Sequence, residues 1–202
     1  MNLNLSSGSG GSGNYIKYSP QLNAWTRKND EGKDVEFKFP RSVFDHENIK
    51  TGWMLIATGQ YEFIPDEVLG KKGAQPSPEH KRGFKVTFFS PELGGVAEYS
   101  ANGAGANMGL EALWGKIQAQ AQANAGKLPV VEYKGSTPEK VGKGTTRIPI
   151  FEVSSWVARP AAMTNGGAKL ESSSSDQFSK PAPTPVAKPA PSPAMSDDEM
   201  FS

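Results

Sequence analysis

MGLEALWGKIQAQAQANA, residues 108–125, is the stretch of this 202-residue chain in which apolar side chains recur at a helical period. Leu110, Leu113, Trp114, Ile117 and Ala121 fall on one stripe, and Asn107 stands where an N-cap would accept a backbone hydrogen bond. Outside this helix the chain alternates or breaks. YIKYS (15–19), AWTRK (24–28) and VEFKF (35–39) read as strands, and GWMLIATGQYEFI (52–64) reads as a longer strand with a bulge near Gly59. GFKVTFFS (83–90) alternates cleanly, with Phe84, Val86 and Phe88 on one face and Lys85, Thr87 and Phe89 on the other.

Beyond the helix, LPVVEYKG (128–135) and TRIPIFEVSSWVAR (146–159) are strand-like, separated by the polar stretch STPEKVGKGT. Pro149 argues for an edge or a bulge in the last strand, since it has no N–H to give a central ladder. Around the helix the order reads as three strands, one helix, two strands. That order predicts a mainly β protein: a five-stranded OB-fold barrel with one helix between strands 3 and 4.

The ends of the chain have a different composition. SSGSGGSG makes residues 1–13 a flexible Gly/Ser arm, and its literal match to a dinucleotide glycine pattern neither follows a strand nor opens a helix. Residues 14–160 are expected to fold. Residues 161–194 form a Ser-, Pro- and Ala-rich linker too poor in apolar side chains to offset the entropy of ordering, and are expected to be disordered. Residues 195–202, MSDDEMFS, make an acidic tip. Lys and Arg total 22 against 21 Asp and Glu, but residues 1–170 hold 20 basic and 16 acidic side chains, whereas residues 171–202 hold 2 and 5. The folded part is mildly basic and the tail acidic.

With no cysteine there is neither a disulfide framework nor a thiolate metal site, and His46 and His80 do not pair in any metal or nucleophile spacing. No catalytic residue, metal or cofactor is expected. No apolar run approaches the ~20 residues of a membrane helix and the N-terminus lacks signal-peptide character, so the expected compartment is the cytoplasm.

Met200 and Phe201 are an apolar pair beyond a spacer, residues 171–194, that could carry them up to ~70 Å. Solubility explains the acids of this tip but not the phenylalanine. A basic OB-like domain, a Pro/Ser/Ala linker and an acidic tip with a near-terminal phenylalanine together resemble the single-stranded DNA-binding proteins of bacteria and phages. That resemblance implies that Asp197, Asp198, Glu199 and Phe201 recruit replication or recombination proteins, and that the tip can compete with DNA for the domain's groove. The family's tip commonly ends on phenylalanine. Here Ser202 follows, which points to a phage-encoded relative acting in a bacterial host cell.

Binding single strands without sequence preference requires cations along the phosphates and aromatic faces for the bases. Tyr15, Lys17, Tyr18, Trp25, Arg27 and Lys28 supply one such set; Lys81, Arg82, Lys85 and Phe89 supply another, with Tyr61 beside them and Lys143 and Arg147 in a glycine-rich loop. Trp53, Phe63, Phe84, Phe88, Trp114 and Phe151 lie in apolar runs or on the helix stripe and are expected in the core. Trp25, among Asn23, Thr26, Arg27 and Lys28, suits either an exposed stacking platform or a core position. Two other readings fit the composition: a protein-interaction adaptor with an OB-like domain, and an OB-fold RNA-binding protein. The expected assembly is at most a small homo-oligomer.

Overall fold

Side-chain alternation and one amphipathic helix translate into a curled, open, ten-stranded sheet with the helix packed against it. The computed structural model describes residues 14–29, 31–57 and 60–164; the Gly/Ser arm, most of the linker and the acidic tip lie outside them. The strands are β1 (Asn14–Ser19), β2 (Ala24–Lys28), β3 (Asp34–Phe37), β4 (Ser42–Phe44), β5 (Lys50–Ala57), β6 (Gln60–Pro65), β7 (Lys81–Ser90) and β8 (Gly95–Ala101). After α1 (Ala104–Ala121) come β9 (Lys127–Val141), β10 (Gly144–Ala158) and the short α2 (Ala161–Thr164).

Three local expectations change. Residues 52–64 hold an antiparallel hairpin, β5 against β6, not one strand. GVAEYSA, unassigned from sequence, is β8, and it pairs with β7 along its whole length. The polar stretch after residue 135 continues β9 to Val141, so the glycine-rich loop shrinks to a turn at Gly142 and Lys143. Pro149 does lie beside a register shift in β10, a strand that among the described residues pairs only with β9. The folded chain also runs past Pro160, because α2 buries Ala162.

The sheet order is β10-β9-β4-β7-β8-β1-β2-β3, with β5 paired to the N-terminal half of β7 and β6 paired to β5. β4 and β5 are two halves of one bent path along β7: Phe44 opposes Phe88, Asp45 N–H donates to Thr87 O (3.0 Å), and Lys50 opposes Lys85. Arg159, just past β10, grips that bend, donating to both carboxylate oxygens of Asp45 (2.8 Å each) and to Glu47 (2.7 Å).

Helix α1 starts at Ala104, one turn before the expected cap. Asn107 thus lies inside the helix, and its side chain donates instead to Arg82 O (3.0 Å). The helix seats closely on β10 because two of its three glycines face that strand. A Cβ on Gly105 would lie 2.4 Å from Arg147 O, and one on Gly109 2.7 Å from Pro149. Leu113 and Ile117 then enter the core from the same face.

Ladder bonds do not close this sheet; aromatic packing does. The Trp25 ring centre lies 4.6 Å from Phe39, 5.0 Å from Tyr99, 5.2 Å from Tyr18, 5.7 Å from Tyr133 and 6.0 Å from Phe151. These rings come from both ends of the strand order. The indole is 2% exposed, so Trp25 is core and not a stacking platform. Alternation puts Lys28 on the opposite face, whereas Arg27, two residues on, shares the face of Trp25 and lies over the Phe37 ring beside it.

Removing so large a buried ring costs about 3–5 kcal/mol. Trp25→Ala is therefore expected to lower the urea midpoint sharply or prevent folding, while Trp25→Phe keeps most of the stability. An alanine variant that melts like the native protein would show that the cage does not hold the curl.

Candidate nucleic-acid interface

Alternation in β7 and β8 sends Phe84, Val86, Phe88, Ala97 and Tyr99 inward and leaves Lys85, Thr87, Glu98 and Ser100 on the opposite face. β1 extends this outer face, because Tyr15 pairs with Glu98 in a parallel register. The Tyr15 hydroxyl donates to Glu98 Oε1 (2.6 Å) and lies 2.7 Å from Ser100 Oγ. From the other side, the β5–β6 hairpin brings Tyr61 and Phe63 to Lys85, whose Nζ sits 4.9 Å and 5.2 Å from their ring centres. The same Nζ is 3.5 Å from Glu98 Oε1. Tyr61 is half exposed, at 50%.

The electrostatics follow from this crowding. Burial, then the bond to Glu98, pushes the Tyr15 hydroxyl far above its usual range, so it stays a donor at any physiological pH. Burial acts to lower the Lys85 ammonium, but Tyr61 and Glu98 outweigh it and the net shift is upward. Lys85 is therefore a permanent cation backing an exposed aromatic ring. Lys50 opposes it across the ladder, and Lys81 lies further along the same face of β7.

Of the residues expected at the interface, Tyr15, Tyr61, Lys81 and Lys85 come together here. Lys17 continues the face along β1 but is 3.8 Å from Asp34, and Lys28 is exposed at the end of β2 with its Nζ on Gly32 O (3.3 Å). The others stand elsewhere. Tyr18 is buried in the aromatic cage with its hydroxyl on Asn23 (3.0 Å). Arg27 lies over the Phe37 ring (5.5 Å) and donates to Glu92 O (3.3 Å). Phe89 does point to the outer side of β7, but Val43, Leu128, Val130 and Ala162 cover it. Lys143 is at the exposed tip of the β9–β10 hairpin, and Arg147 donates to Ser136 (3.4 Å); no described contact brings either to Lys85.

Arg82 is already committed to a carboxylate and does not join this face. It lies on the inner side of β7 and donates to both oxygens of Asp66 (2.7 and 2.5 Å), while its guanidinium sits 5.3 Å from the Trp53 ring. Thr51 also donates to Asp66 (2.6 Å), and Trp53 Nε1 donates to Gly73 O (3.0 Å). These bonds tie down the segment after β6, and Arg82 has no fork left for a phosphate.

Phe63, Glu98 and Ser100 were not expected at this face. The last two lie in Gly95–Ala101, where Gly, Ala and Ser leave little contrast between the two faces of the strand. Phe63 reads as core because its run is apolar, yet the hairpin turns its ring to Lys85. Among the described residues, no group of three or more His, Cys, Asp or Glu side chains could hold a metal ion. No helix among them is long and apolar enough to cross a membrane. No protein-family model matches the chain, and no curated protein or solved structure shows significant similarity to it.

Arg82, acting first, and Thr51 hold the Asp66 carboxyl at about 2, below its ordinary 3.8. A depressed carboxyl stabilises the fold fully above its unfolded value, and that contribution disappears as pH falls through the folded one. Asp66→Asn should cost about 1–2 kcal/mol at neutral pH. The gap between native and variant in thermal melts should close between pH 3.8 and about 2; a gap that persists there would assign the effect to something other than this ion pair.

Proposed function

We propose that this protein binds single-stranded DNA without strong sequence preference during replication, recombination or repair, and performs no chemistry on it. The observation that carries this reading is the outer face of β7, β8 and β1. There an exposed Tyr61 ring is backed by the Lys85 cation, Phe63 and Tyr15 stand beside them, and Lys50 and Lys81 lie along the same surface. Aromatic faces interleaved with cations suit bases and phosphates together.

Connectivity supports an OB-type core within the larger sheet. The bent β4–β5 path pairs with β7 and β9, β7 pairs with β8, α1 follows, and β9 pairs with β10. In such barrels the face of the second and third strands receives oligonucleotides, and here those strands are β7 and β8. The parallel edge of β8 is taken by β1, so the N-terminal strands enlarge the same face. The architectural resemblance to phage single-stranded DNA-binding proteins points the same way.

The test is a titration of mixed-sequence single-stranded DNA, duplex DNA and RNA at several salt concentrations. Single-stranded DNA should bind best, with log K falling linearly against log salt as phosphates release counterions. Tyr61→Ala should weaken binding by ~1–3 kcal/mol with little change in the salt slope, whereas Lys85→Ala should lower that slope by about one. Equal affinity for duplex and single strands, or none at low salt, would end the proposal.

The tip, residues 195–202, is proposed as the docking site for replication or recombination proteins through Asp197, Asp198, Glu199 and Phe201. Its removal should raise DNA affinity modestly, and more at low salt, since screening shortens its competition for the cationic face. Phe201→Ala keeps the charges. It should leave DNA binding unchanged yet cost at least ~2 kcal/mol in partner binding, measured by pull-down beside the truncation. If Phe201→Ala retains every partner that the truncation loses, charge alone does the recruiting.

A further inference from the structure

Among the lysines and aromatics of the proposed DNA face, Glu98 is out of place on electrostatic grounds alone. A carboxylate there repels phosphate, and yet it is held by two neighbours on the surface. The Tyr15 hydroxyl donates to its Oε1 at 2.6 Å, Lys85 Nζ is 3.5 Å from the same oxygen, and Tyr15 is itself steadied by Ser100 at 2.7 Å. Both contacts to the carboxylate fall on one oxygen. Among the described residues no donor meets Oε2, and the side chain is 37% exposed.

Lys85 also links this carboxylate to the stacking ring, since its Nζ lies 4.9 Å from the centre of Tyr61. Glu98 thus stands one lysine away from the stacking ring, and the edge of a base bound there decides what its acceptor-only carboxylate meets. Cytosine and thymine differ at that edge while sharing the same size: cytosine carries the N4 amino donor where thymine carries the O4 acceptor. Resting on the single-stranded DNA reading, we infer that Glu98 sets a base preference within this site, accepting from the amino group of cytosine and rejecting thymine. Tyr15 and Ser100 act as positioning residues that hold the carboxylate in place.

The experiment compares oligo(dC) and oligo(dT) of equal length, near neutral pH, with the full-length native chain and with Glu98→Gln. One charge-assisted hydrogen bond at a half-exposed site corresponds to a preference of about three- to tenfold for oligo(dC) in the native protein. A glutamine amide can accept from N4 or donate to O4, so the variant should bind both strands within about twofold of each other. Removing a negative charge will also raise affinity for both strands, which is why the ratio and not the affinity is the readout. Equal binding of the two strands by the native protein, or a ratio unchanged in Glu98→Gln, overturns the inference and leaves single-strand binding standing. If neither strand binds the native chain, the functional reading falls, and this inference with it.

Discussion

The curl of the sheet is packed around one side chain, the indole of Trp25. Ladder hydrogen bonds run without interruption from β10 to β3 but do not join those two ends. What joins them is a cage in which Trp25 and Tyr18, from the N-terminal hairpin, meet Tyr133 and Phe151 from the far strands, with Phe39 and Tyr99 completing it. Aromatic rings suit this role because each removes a large apolar area from water and tolerates the tilted and edge-on contacts that a curved interior imposes. Helix α1 fills the remaining opening over β10, through the close approach that Gly105 and Gly109 permit.

Once the interior is fixed in this way, the outer face follows. Each strand that sends an aromatic inward must present its neighbour outward, so Ile16 and Tyr18 leave Tyr15 and Lys17 on the surface, and Phe84 and Val86 leave Lys85. The parallel pairing of β1 with β8 then sets Tyr15 opposite Glu98. The β5–β6 hairpin arrives from the other side, its following segment held by the Asp66–Arg82 pair. The candidate interface is thus assembled from three separate parts of the chain, and its geometry is a consequence of the core.

Reading the chain by alternation succeeds where a strand has one apolar face and one polar face. Residues 83–90 show this, and both faces of β7 lie where that pattern puts them. It fails at Gly95–Ala101, where Gly, Ala and Ser supply too little contrast between faces to mark a strand. It fails again at residues 52–64, because β5 and β6 are both apolar and only the reversal of the chain separates them. Trp25 and Arg82 mislead in a related way. The polar neighbours of Trp25 say nothing of the five rings that bury it, and the positive charge of Arg82 says nothing of the carboxylate that claims it.

By itself, the sequence determined the mainly β character, the place of the long helix α1, the break at Pro149 and the contrast between a basic folded part and an acidic tail. These are local properties, set by side-chain period, by proline's missing N–H and by composition. Only the tertiary structure decided which aromatics are buried, which cations are already paired, and that Tyr15, Tyr61, Lys85 and Glu98 share one surface. Those outcomes depend on strand pairing between residues tens of positions apart, and pairing partners are chosen by the packing of the whole core, which no local pattern encodes.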